Sequence, residues 1–479
     1  GSLEGAEARA SVPRAHRACI NGTYLTAGIN GTYLNAGLLG RFRSAYRWRC
    51  GSGLDCAFCP LFAGVYRGGS SGLAGSRLLF ALADVHADVS RGSSSLRLIL
   101  MDGYPHSAMQ TVGLGVIGCG GFGLFALQHF TQVEGVRLVA MAGTHRPQAI
   151  ACARRFGIPD PIEVEQLVQM PEIDIVYIAT PPFLHYPQAK LALEAGKHVI
   201  VEKPLATRLE HAQELIDLAQ RKQRLLVTNL MQRYNPLFDM VKRLIEQKPL
   251  GELLHAYFEN YATDEGLPPD HWFWDREKSG GIFIEHGVHF FDLFEGWLGE
   301  GEVLAAQHVL RSESGVEEQV QCTVCYRGNV LVNFYHGFHQ VARMDRQEMR
   351  FVFELGDVTL YEWIPTRVRI HAVVDEAQTR ILCEIFPRAL LDVTAIYGGK
   401  ERQARSRFRE RDLYQMIEMR WGLEDLKMHN YGRLLRAMLE DQLAYLRNPS
   451  HPRRLTEWNG YRSLLMAVQA TQQANLRKV

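Results

Sequence analysis

The chain has 479 residues, of which 47% are hydrophobic and 22% are charged, and its formal net charge is +1 at pH 7. This length exceeds one ordinary hydrophobic core and predicts about two or three domains. The near-neutral charge excludes the basic footprint of a nucleic-acid-binding protein. No apolar run approaches the roughly 20 residues that a bilayer-spanning helix needs, which argues against a membrane partner. Nine scattered cysteines favour reduced thiols in the cytoplasm over a disulfide framework.

Residues 1–108 differ from the rest of the chain. They are rich in Gly, Ser, Ala and Arg, they contain no lysine, and they repeat INGTYLTAG as INGTYLNAG. We interpret them as an extension that is non-native or poorly ordered, with Met109 as the natural start. The alternative is an accessory segment that binds zinc through Cys50, Cys56 and Cys59. Because that C-x5-C-x2-C spacing has no second pair, we predict no metal site.

A glycine-rich loop follows the first apolar strand, Val112–Ile117. The loop and its flanking residues read Gly118-Cys-Gly-Gly-Phe-Gly123 and then LFALQHF, which has a helical pattern. In a G-x-G-x-x-G loop the first glycine permits a tight turn, the second lets a pyrophosphate approach, and the third lets the helix pack on the strand. The helix start then presents N–H groups to phosphates. This motif predicts dinucleotide contacts from Gly118, Gly120, Gly121, Phe122 and Gly123.

Strands and helices alternate between residues 111 and 230. After the glycine loop the pattern predicts strands at Val136–Ala142, Ile173–Ala179, His198–Val201 and Leu225–Thr228, with helices at Pro147–Phe156, Tyr186–Ala195 and His211–Arg221. The apolar run IDIVYIA is typical of a strand covered on both faces. Short connections between alternating elements predict an α/β fold with a parallel sheet.

The pattern changes after residue 231. A helix is expected at Pro236–Gln247 and a second one near Gly281, with further helices at Tyr431–Leu446 and Gly460–Ala474. Alternating strands are predicted at Leu253–Tyr261, Gln319–Tyr326, Val330–Tyr335, Met349–Leu355, Val358–Tyr361 and Arg367–Val373. Such strands indicate a large, mostly antiparallel sheet with one face covered.

Three further motifs accompany the glycine loop. Thr180-Pro-Pro-Phe-Leu-His185 and Glu202-Lys203-Pro204 each follow a strand, at the sheet edge where open α/β proteins bind ligands. The third motif, GGIFIEHGVHFFD, places Glu285 and His289 four residues apart. On a helix this spacing puts both side chains on one face.

In series, these four motifs resemble the Gfo/Idh/MocA family of NAD(P)-dependent oxidoreductases over roughly residues 111–475. The resemblance implies a Rossmann domain at 109–231 and a C-terminal α/β domain at 232–479. It implies hydride transfer between a nicotinamide and a small sugar, inositol or related hydroxy or keto compound. It also implies a homodimer or homotetramer built through the C-terminal sheet.

The residue types suit that reaction. Oxidising an alcohol or reducing a ketone needs a proton acceptor or donor, and histidine serves near neutral pH. A lysine can polarise a carbonyl and stabilise developing alkoxide charge. By resemblance, Lys203 has that electrostatic role, His289 is the acid/base, and Glu285 is the partner of His289. The family usually has aspartate at the position of Glu285, so this carboxylate is one methylene longer.

Further contacts are predicted on the same basis. Cofactor contacts are expected from Thr180, Pro181, His185, Glu202, Lys203 and Asn229, and substrate contacts from Arg233, Trp272, Trp274, Asp275 and His286. Structural roles are the alternatives: His289 as a core histidine, His185 as a partner of backbone groups, and the tryptophans as part of a domain interface.

The second strand ends in Met-Ala-Gly-Thr-His-Arg, which lacks the carboxylate that hydrogen-bonds the ribose 2′-hydroxyl of NAD. Thr144 and Arg146 suit a 2′-phosphate, so the sequence favours NADP over NAD. Two functional alternatives stay open. One is a non-catalytic dinucleotide-binding regulator, and the other is a family member that uses NAD transiently for glycoside elimination.

Overall fold

The computed structural model describes residues 16–20, 23–26, 111–143, 145–264, 266–423 and 427–476. The first two segments are strands β1 (His16–Ile20) and β2 (Thr23–Thr26), which pair with each other. The other predictions for residues 1–108, including the zinc alternative, lie outside the described residues, as does Thr144.

A five-stranded parallel sheet forms the first half of the fold. Its strands are β3 (Val112–Ile117), β4 (Val136–Ala142), β5 (Ile175–Ile178), β6 (His198–Val201) and β7 (Leu226–Thr228), in the order β4-β3-β5-β6-β7. The connecting helices are α1 (Gly121–Phe130), α2 (Arg146–Phe156), α3 (Val164–Gln169), α4 (His185–Glu194) and α5 (Leu209–Lys222). Strand β5 is buried along its whole length, and α5 buries Ala212, Leu215, Ile216 and Ala219, which share one helix face. The predicted parallel α/β sheet is confirmed.

A larger sheet follows. Its strands are β8 (Leu253–Ala262), β9 (Gly301–Leu310), β10 (Glu317–Tyr326), β11 (Val330–Phe338), β12 (Arg346–Phe353), β13 (Gly356–Tyr361), β14 (Arg367–Val374), β15 (Leu390–Ile396) and β18 (Gln415–Gly422), while β16 (Gln403–Ser406) and β17 (Arg409–Asp412) form a separate hairpin. The order is β2-β1-β15-β18-β14-β13-β12-β8-β11-β10-β9, and only the β8–β11 pair is parallel among these described strands. The predicted, mostly antiparallel sheet is confirmed, and it is extended by strands that the sequence did not reveal.

The helices of the second half are α6 (Pro236–Gln247), the short α7 (Arg276–Ser279), α8 (Val288–Leu298), α9 (Glu376–Ile385), α10 (Lys427–Arg447) and α11 (Glu457–Leu476). Helix α8 packs on one face of the large sheet. Alternate residues of β8 point inward, and Phe258 stacks on Phe290 of α8 with ring centroids 3.5 Å apart.

The last two helices return to the first half of the fold. Helix α10 packs on α1, where Tyr431 meets the ring of Phe125 at 5.1 Å and Arg436 donates to His129 at 3.0 Å. Helix α11 packs against α8, β9 and α5. Across the ranges given above, no helix has both the length and the apolar character needed to cross a membrane.

Candidate active site

The glycine loop has the geometry that its spacing predicts. Gly118 has φ 96°, and a Cβ there would lie 2.6 Å from the carbonyl oxygen of Ala179. A Cβ on Gly123 would lie 2.6 Å from the carbonyl oxygen of Gly118. At Gly120 and Gly121 a Cβ would meet no atom of the described residues within 4 Å. Two glycines are therefore required by the protein's own packing, whereas the other two border open space at the start of α1.

The ring of Phe122 does not face that open space. Its centroid lies 5.7 Å from that of Tyr431, on the α10 side of the loop. The predicted dinucleotide contact of Phe122 stays a prediction.

The Thr-Pro-Pro loop is tied to the Glu-Lys-Pro loop by His185. This ring is fully buried, with Nδ1 2.7 Å from the carbonyl oxygen of Pro204 and Nε2 2.7 Å from that of Thr180. Burial lowers the pKa of His185, while the two carbonyl groups favour its protonated form. Both nitrogens of His185 face the protein's own carbonyl groups, and its predicted cofactor contact stays a prediction. Pro181 is half-buried, and Thr180 donates its hydroxyl to Gln188 at 2.6 Å.

Lys203 and Glu285 meet although 82 residues separate them. The Lys203 ammonium donates to the Glu285 carboxylate at 2.5 Å and to its carbonyl oxygen at 2.8 Å. The two side chains are 17% and 10% exposed. Lys203 follows β6 at the carboxyl edge of the parallel sheet, and Glu285 comes from a π-helical turn, Phe283–Gly287, that precedes α8. The pair therefore joins the two halves of the fold at one point.

The predicted partnership of Glu285 with His289 needs correction. In the part of the chain that the structure describes, the carboxylate bonds to Lys203 and no hydrogen bond joins it to His289. A lysine ammonium stabilises a buried carboxylate more than a neutral imidazole can.

His289 is 6% exposed, and its Nδ1 is buried without a hydrogen-bond partner among the residues that the structure describes. Burial, and then the charge of Lys203, hold the pKa of His289 well below its usual value. Its ring centroid lies 5.9 Å from that of Trp363. Because its pKa is low, the His289 ring is neutral at pH 7, and a neutral imidazole has one nitrogen that can accept a proton.

A network of buried polar side chains surrounds Glu202, the residue that precedes Lys203. The carboxylate of Glu202 accepts hydrogen bonds from Tyr177 at 2.6 Å and from Asn229 at 2.7 Å. Burial raises the pKa of Glu202. Asn229 is fully buried, and its amide oxygen has no hydrogen-bond partner within the described ranges. Glu202 and Asn229 were predicted as cofactor contacts, and the structure gives them this supporting position next to the ammonium.

Two of the predicted substrate residues are engaged elsewhere. Arg233 forms a buried pair with Asp292, with Nε donating at 2.7 Å and Nη2 at 3.0 Å to its carboxylate. Asp275 caps α7 by accepting from the Glu277 amide at 3.0 Å, and it pairs with Lys278 at 3.0 Å. These contacts already use the charged groups of Arg233 and Asp275, and their predicted substrate contacts stay predictions.

The two tryptophans that were predicted to contact substrate differ in their exposure. Trp274 is 9% exposed and packs edge-on against Phe273 at 4.8 Å. Trp272 is half-buried, with its ring 5.0 Å from that of His271. Trp274 therefore belongs to the packing of this loop, while Trp272 keeps part of its surface open.

His286 lies beside the Lys203–Glu285 pair. Its Nδ1 is 2.9 Å from Nδ1 of His336, which the sequence analysis did not single out. Burial, followed by the charges of His336, Lys203 and His289, holds the pKa of His286 well below its usual value. His336 and Trp363 were missed because strand register and a loop between β13 and β14 bring them here, and neither leaves a local sequence signal.

Arg146 is the first residue of α2, at the end of β4 where a dinucleotide's adenosine ribose would lie. Its side chain is 66% exposed and 3.8 Å from Glu163. Among the described residues, no group of three or more His, Cys, Asp or Glu side chains is arranged to hold a metal ion.

Family comparisons agree with this architecture. Residues 112–230 match a family described as an oxidoreductase family with an NAD-binding Rossmann fold. Residues 238–359 match the GFO/IDH/MocA C-terminal domain.

Curated relatives are similar over part of the chain. A dTDP-3,4-didehydro-2,6-dideoxy-alpha-D-glucose 3-reductase of Saccharopolyspora spinosa is 29% identical over 55% of this chain and 81% of the relative. A scyllo-inositol 2-dehydrogenase (NAD(+)) of Bacillus subtilis is 31% identical over 38% of this chain and 53% of the relative. A glycosyl hydrolase family 109 protein of Streptomyces niveus is 33% identical over 39% of this chain and 42% of the relative. Apart from the reductase, the chain matches only about half or less of the length of these relatives.

Solved structures share the fold. A 3-ketoreductase from Actinomadura kijaniata, solved with NADP and TDP-benzene, has a TM-score of 0.60 at 18% identity, covering 76% of this chain and 97% of that structure. At that identity the likeness concerns the fold alone.

Proposed function

This chain belongs to the Gfo/Idh/MocA family of oxidoreductases, and on that premise we propose that it is an NAD(P)-dependent dehydrogenase or reductase for a sugar, inositol or related hydroxy or keto compound. One observation carries the proposal. The Lys203–Glu285 ion pair lies at the carboxyl edge of the parallel sheet. The charge of Lys203 adds to burial in lowering the pKa of the His289 imidazole. Lysine and histidine at one sheet edge are the residue types that alcohol oxidation needs.

The glycine loop fits a dinucleotide. Gly120 and Gly121 border open space, so a pyrophosphate could approach the backbone there, and the α1 start supplies N–H groups. When bound, a nicotinamide cofactor would supply hydride chemistry. The chain's own residues would then bind and orient the substrate oxygen and move its proton.

Lys203 would donate a hydrogen bond to the reacting oxygen of the substrate. The ammonium of Lys203 donates a hydrogen bond to Glu285, and a substrate oxygen would be a further acceptor for the same ammonium. The positive charge stabilises an alkoxide as it develops, since the site is largely closed to water. His289, neutral because of burial and the charge of Lys203, would accept the hydroxyl proton in oxidation and return it in reduction.

Transient redox chemistry is a second candidate, because a glycosyl hydrolase family 109 protein is among the relatives. Such an enzyme would retain its cofactor through purification and show no net change in nicotinamide absorbance. Lys203 and His289, both present at one sheet edge, favour catalysis over a purely regulatory dinucleotide-binding role.

The glycine loop gives a paired prediction. Gly120→Ala is expected to leave the melting temperature within about 2 °C of the unchanged protein, because the new Cβ meets nothing, while raising the dinucleotide Kd at least about tenfold. Gly118→Ala should lower the melting temperature, because φ there is 96° and the Cβ would collide with the Ala179 backbone. Calorimetry and dinucleotide titration check both, and an unchanged Kd for Gly120→Ala would contradict the assignment.

We also propose that NADP is preferred over NAD. Arg146 at the start of α2 is exposed and could pair with a 2′-phosphate, so the Kd for NADPH should be lower than that for NADH. Arg146→Glu should raise the NADPH Kd about tenfold or more and leave the NADH Kd nearly unchanged. Arg154→Glu, at the exposed far end of the same helix, is the matched control. A clear NADH preference in the unchanged protein would overturn the proposal.

Assembly through the large sheet is proposed as well. The face opposite the helices carries Tyr257, Tyr261 and Tyr335 around a cavity of about 320 Å³, with Leu331 42% exposed beside it. Glu259, Gln321 and Asn333 also line this cavity, so the surface combines aromatic and polar side chains. We expect a second copy of the chain to cover it, and light scattering measures the assembly state. The cytoplasmic location stays a prediction.

A further inference from the structure

His336 has an unusual environment for a titratable side chain. It lies on β11, is fully buried, and is surrounded by the rings of Phe258, Phe283 and Phe290, with centroids 5.1, 6.3 and 5.8 Å away. Its Nδ1 is 2.9 Å from Nδ1 of His286, and in the described part of the chain its buried Nε2 has no hydrogen-bond partner. Phenyl rings would pack as well against a phenylalanine, so packing alone gives no reason for an imidazole here.

His286 lies between this buried ring and the proposed catalytic residues. It follows Glu285 in the π-helical turn and feels the charges of Lys203 and His289. Within the described residues its side-chain hydrogen bond is the one to His336, and the residue is partly exposed. A ligand could therefore reach its Nε2.

The contact between the two Nδ1 atoms fixes how the protons are distributed. Burial lowers the pKa of His336 to about 3, and the pKa of His286 is also low, so both rings are neutral at pH 7. One proton then lies between the two Nδ1 atoms, because a neutral imidazole has one donor and one acceptor nitrogen. If His286 carries that proton, its Nε2 is an acceptor and His336 carries its own proton on Nε2.

The phenyl cage favours this arrangement. An N–H group can be directed at an aromatic ring and gain a weak N–H···π interaction, whereas a bare nitrogen lone pair in the same cage gains nothing. Resting on the proposed function, we infer that His336 is a positioning residue that fixes the ring and tautomer of His286, so that His286 Nε2 accepts a hydrogen bond from a second hydroxyl group of the substrate. The site would thus recognise a second hydroxyl group of the substrate, next to the one that reacts.

The first test does not depend on turnover. In the full-length protein labelled with ¹⁵N-histidine, the two-bond ¹⁵N–¹H correlation pattern of His286, assigned by its loss in His286→Asn, should show the proton on Nδ1. In His336→Phe the pattern should change towards the mixture of tautomers typical of a free imidazole. A proton on Nε2 of His286 in the unchanged protein would overturn the inference, even if no substrate has been found.

The second test uses substrate kinetics. His336→Phe should raise KM about tenfold, the loss expected for one hydrogen bond, with kcat within about threefold and an unchanged dinucleotide Kd. His336→Asn retains an acceptor near the Nδ1 position and should recover most of the lost KM. His371→Phe, on the exposed side of β14, is the control for a histidine replacement in the sheet. An equal KM in His336→Phe and the unchanged protein, or no recovery by asparagine, would contradict the role.

Discussion

Replacement of Lys203 by methionine is expected to lower kcat about a thousandfold while changing the dinucleotide Kd less than about threefold. The ammonium donates to Glu285 at 2.5 Å at the edge of the parallel sheet, and methionine keeps most of its length without the charge or the donors. Stabilisation of an alkoxide is needed only as the reaction proceeds, so its loss should affect kcat more than ground-state binding. Steady-state kinetics with dinucleotide titration measures both quantities.

Two controls separate this effect from a loss of stability. Lys203→Met leaves the buried Glu285 carboxylate without its partner, so Lys203→Met/Glu285→Gln should recover the melting temperature but not kcat. Lys190→Met removes a lysine that pairs with Glu214 on the surface and should leave kcat unchanged. If the Lys203→Met protein turns over at a rate near normal, the assigned role is wrong.

Replacement of His289 by asparagine is expected to lower kcat about a hundredfold to ten-thousandfold, the range for loss of a general acid or base. The imidazole is buried, and its Nδ1 makes no hydrogen bond with the described residues. Asparagine retains a polar side chain of similar reach but cannot take up a proton. Folding should be little affected, because the ring makes no hydrogen bond through that nitrogen.

The pH profile provides the second measurement for His289. Burial and the charge of Lys203 lower its pKa, so the ring stays neutral as pH falls from 7 and becomes protonated only well below pH 6.5. The kcat/KM for alcohol oxidation should therefore stay level down to that region and then decrease, and His289→Asn should lack this decrease. His371→Asn, at a half-exposed position on β14, should retain the normal profile. A profile that is the same in His289→Asn and the unchanged protein would assign the proton transfer to another group.

Regular elements were well predicted where the hydrophobic pattern was strong. Strands β4 and β6 and helix α6 have the predicted bounds. Strands β9 and β15–β18 and helix α9 were missed. In β9, for example, Leu304, Val309 and Leu310 are exposed, so apolar side chains do not alternate with polar ones as they do in a strand with one covered face.

The sequence predicted the residues of the candidate site better than it predicted the contacts between them. The motifs identified Lys203, Glu285 and His289, but spacing within a helix cannot reveal that Glu285 bonds across 82 residues to Lys203. Arg233 similarly has its partner, Asp292, on a different helix. For Asp275 a local signal existed, since an aspartate before Arg-Glu-Lys is typical of a helix N-cap.

The central claim is that Lys203 and His289 act together on one reacting carbon beside a nicotinamide. It is tested most directly by single-turnover transfer of deuterium from C–D-labelled sugars, inositols and related alcohols to bound nicotinamide, using the full chain and its Lys203→Met and His289→Asn variants. The account predicts transfer with a primary isotope effect in the unchanged protein, and loss of transfer in both variants while each still binds the dinucleotide. Transfer at an unchanged rate in either variant would contradict it.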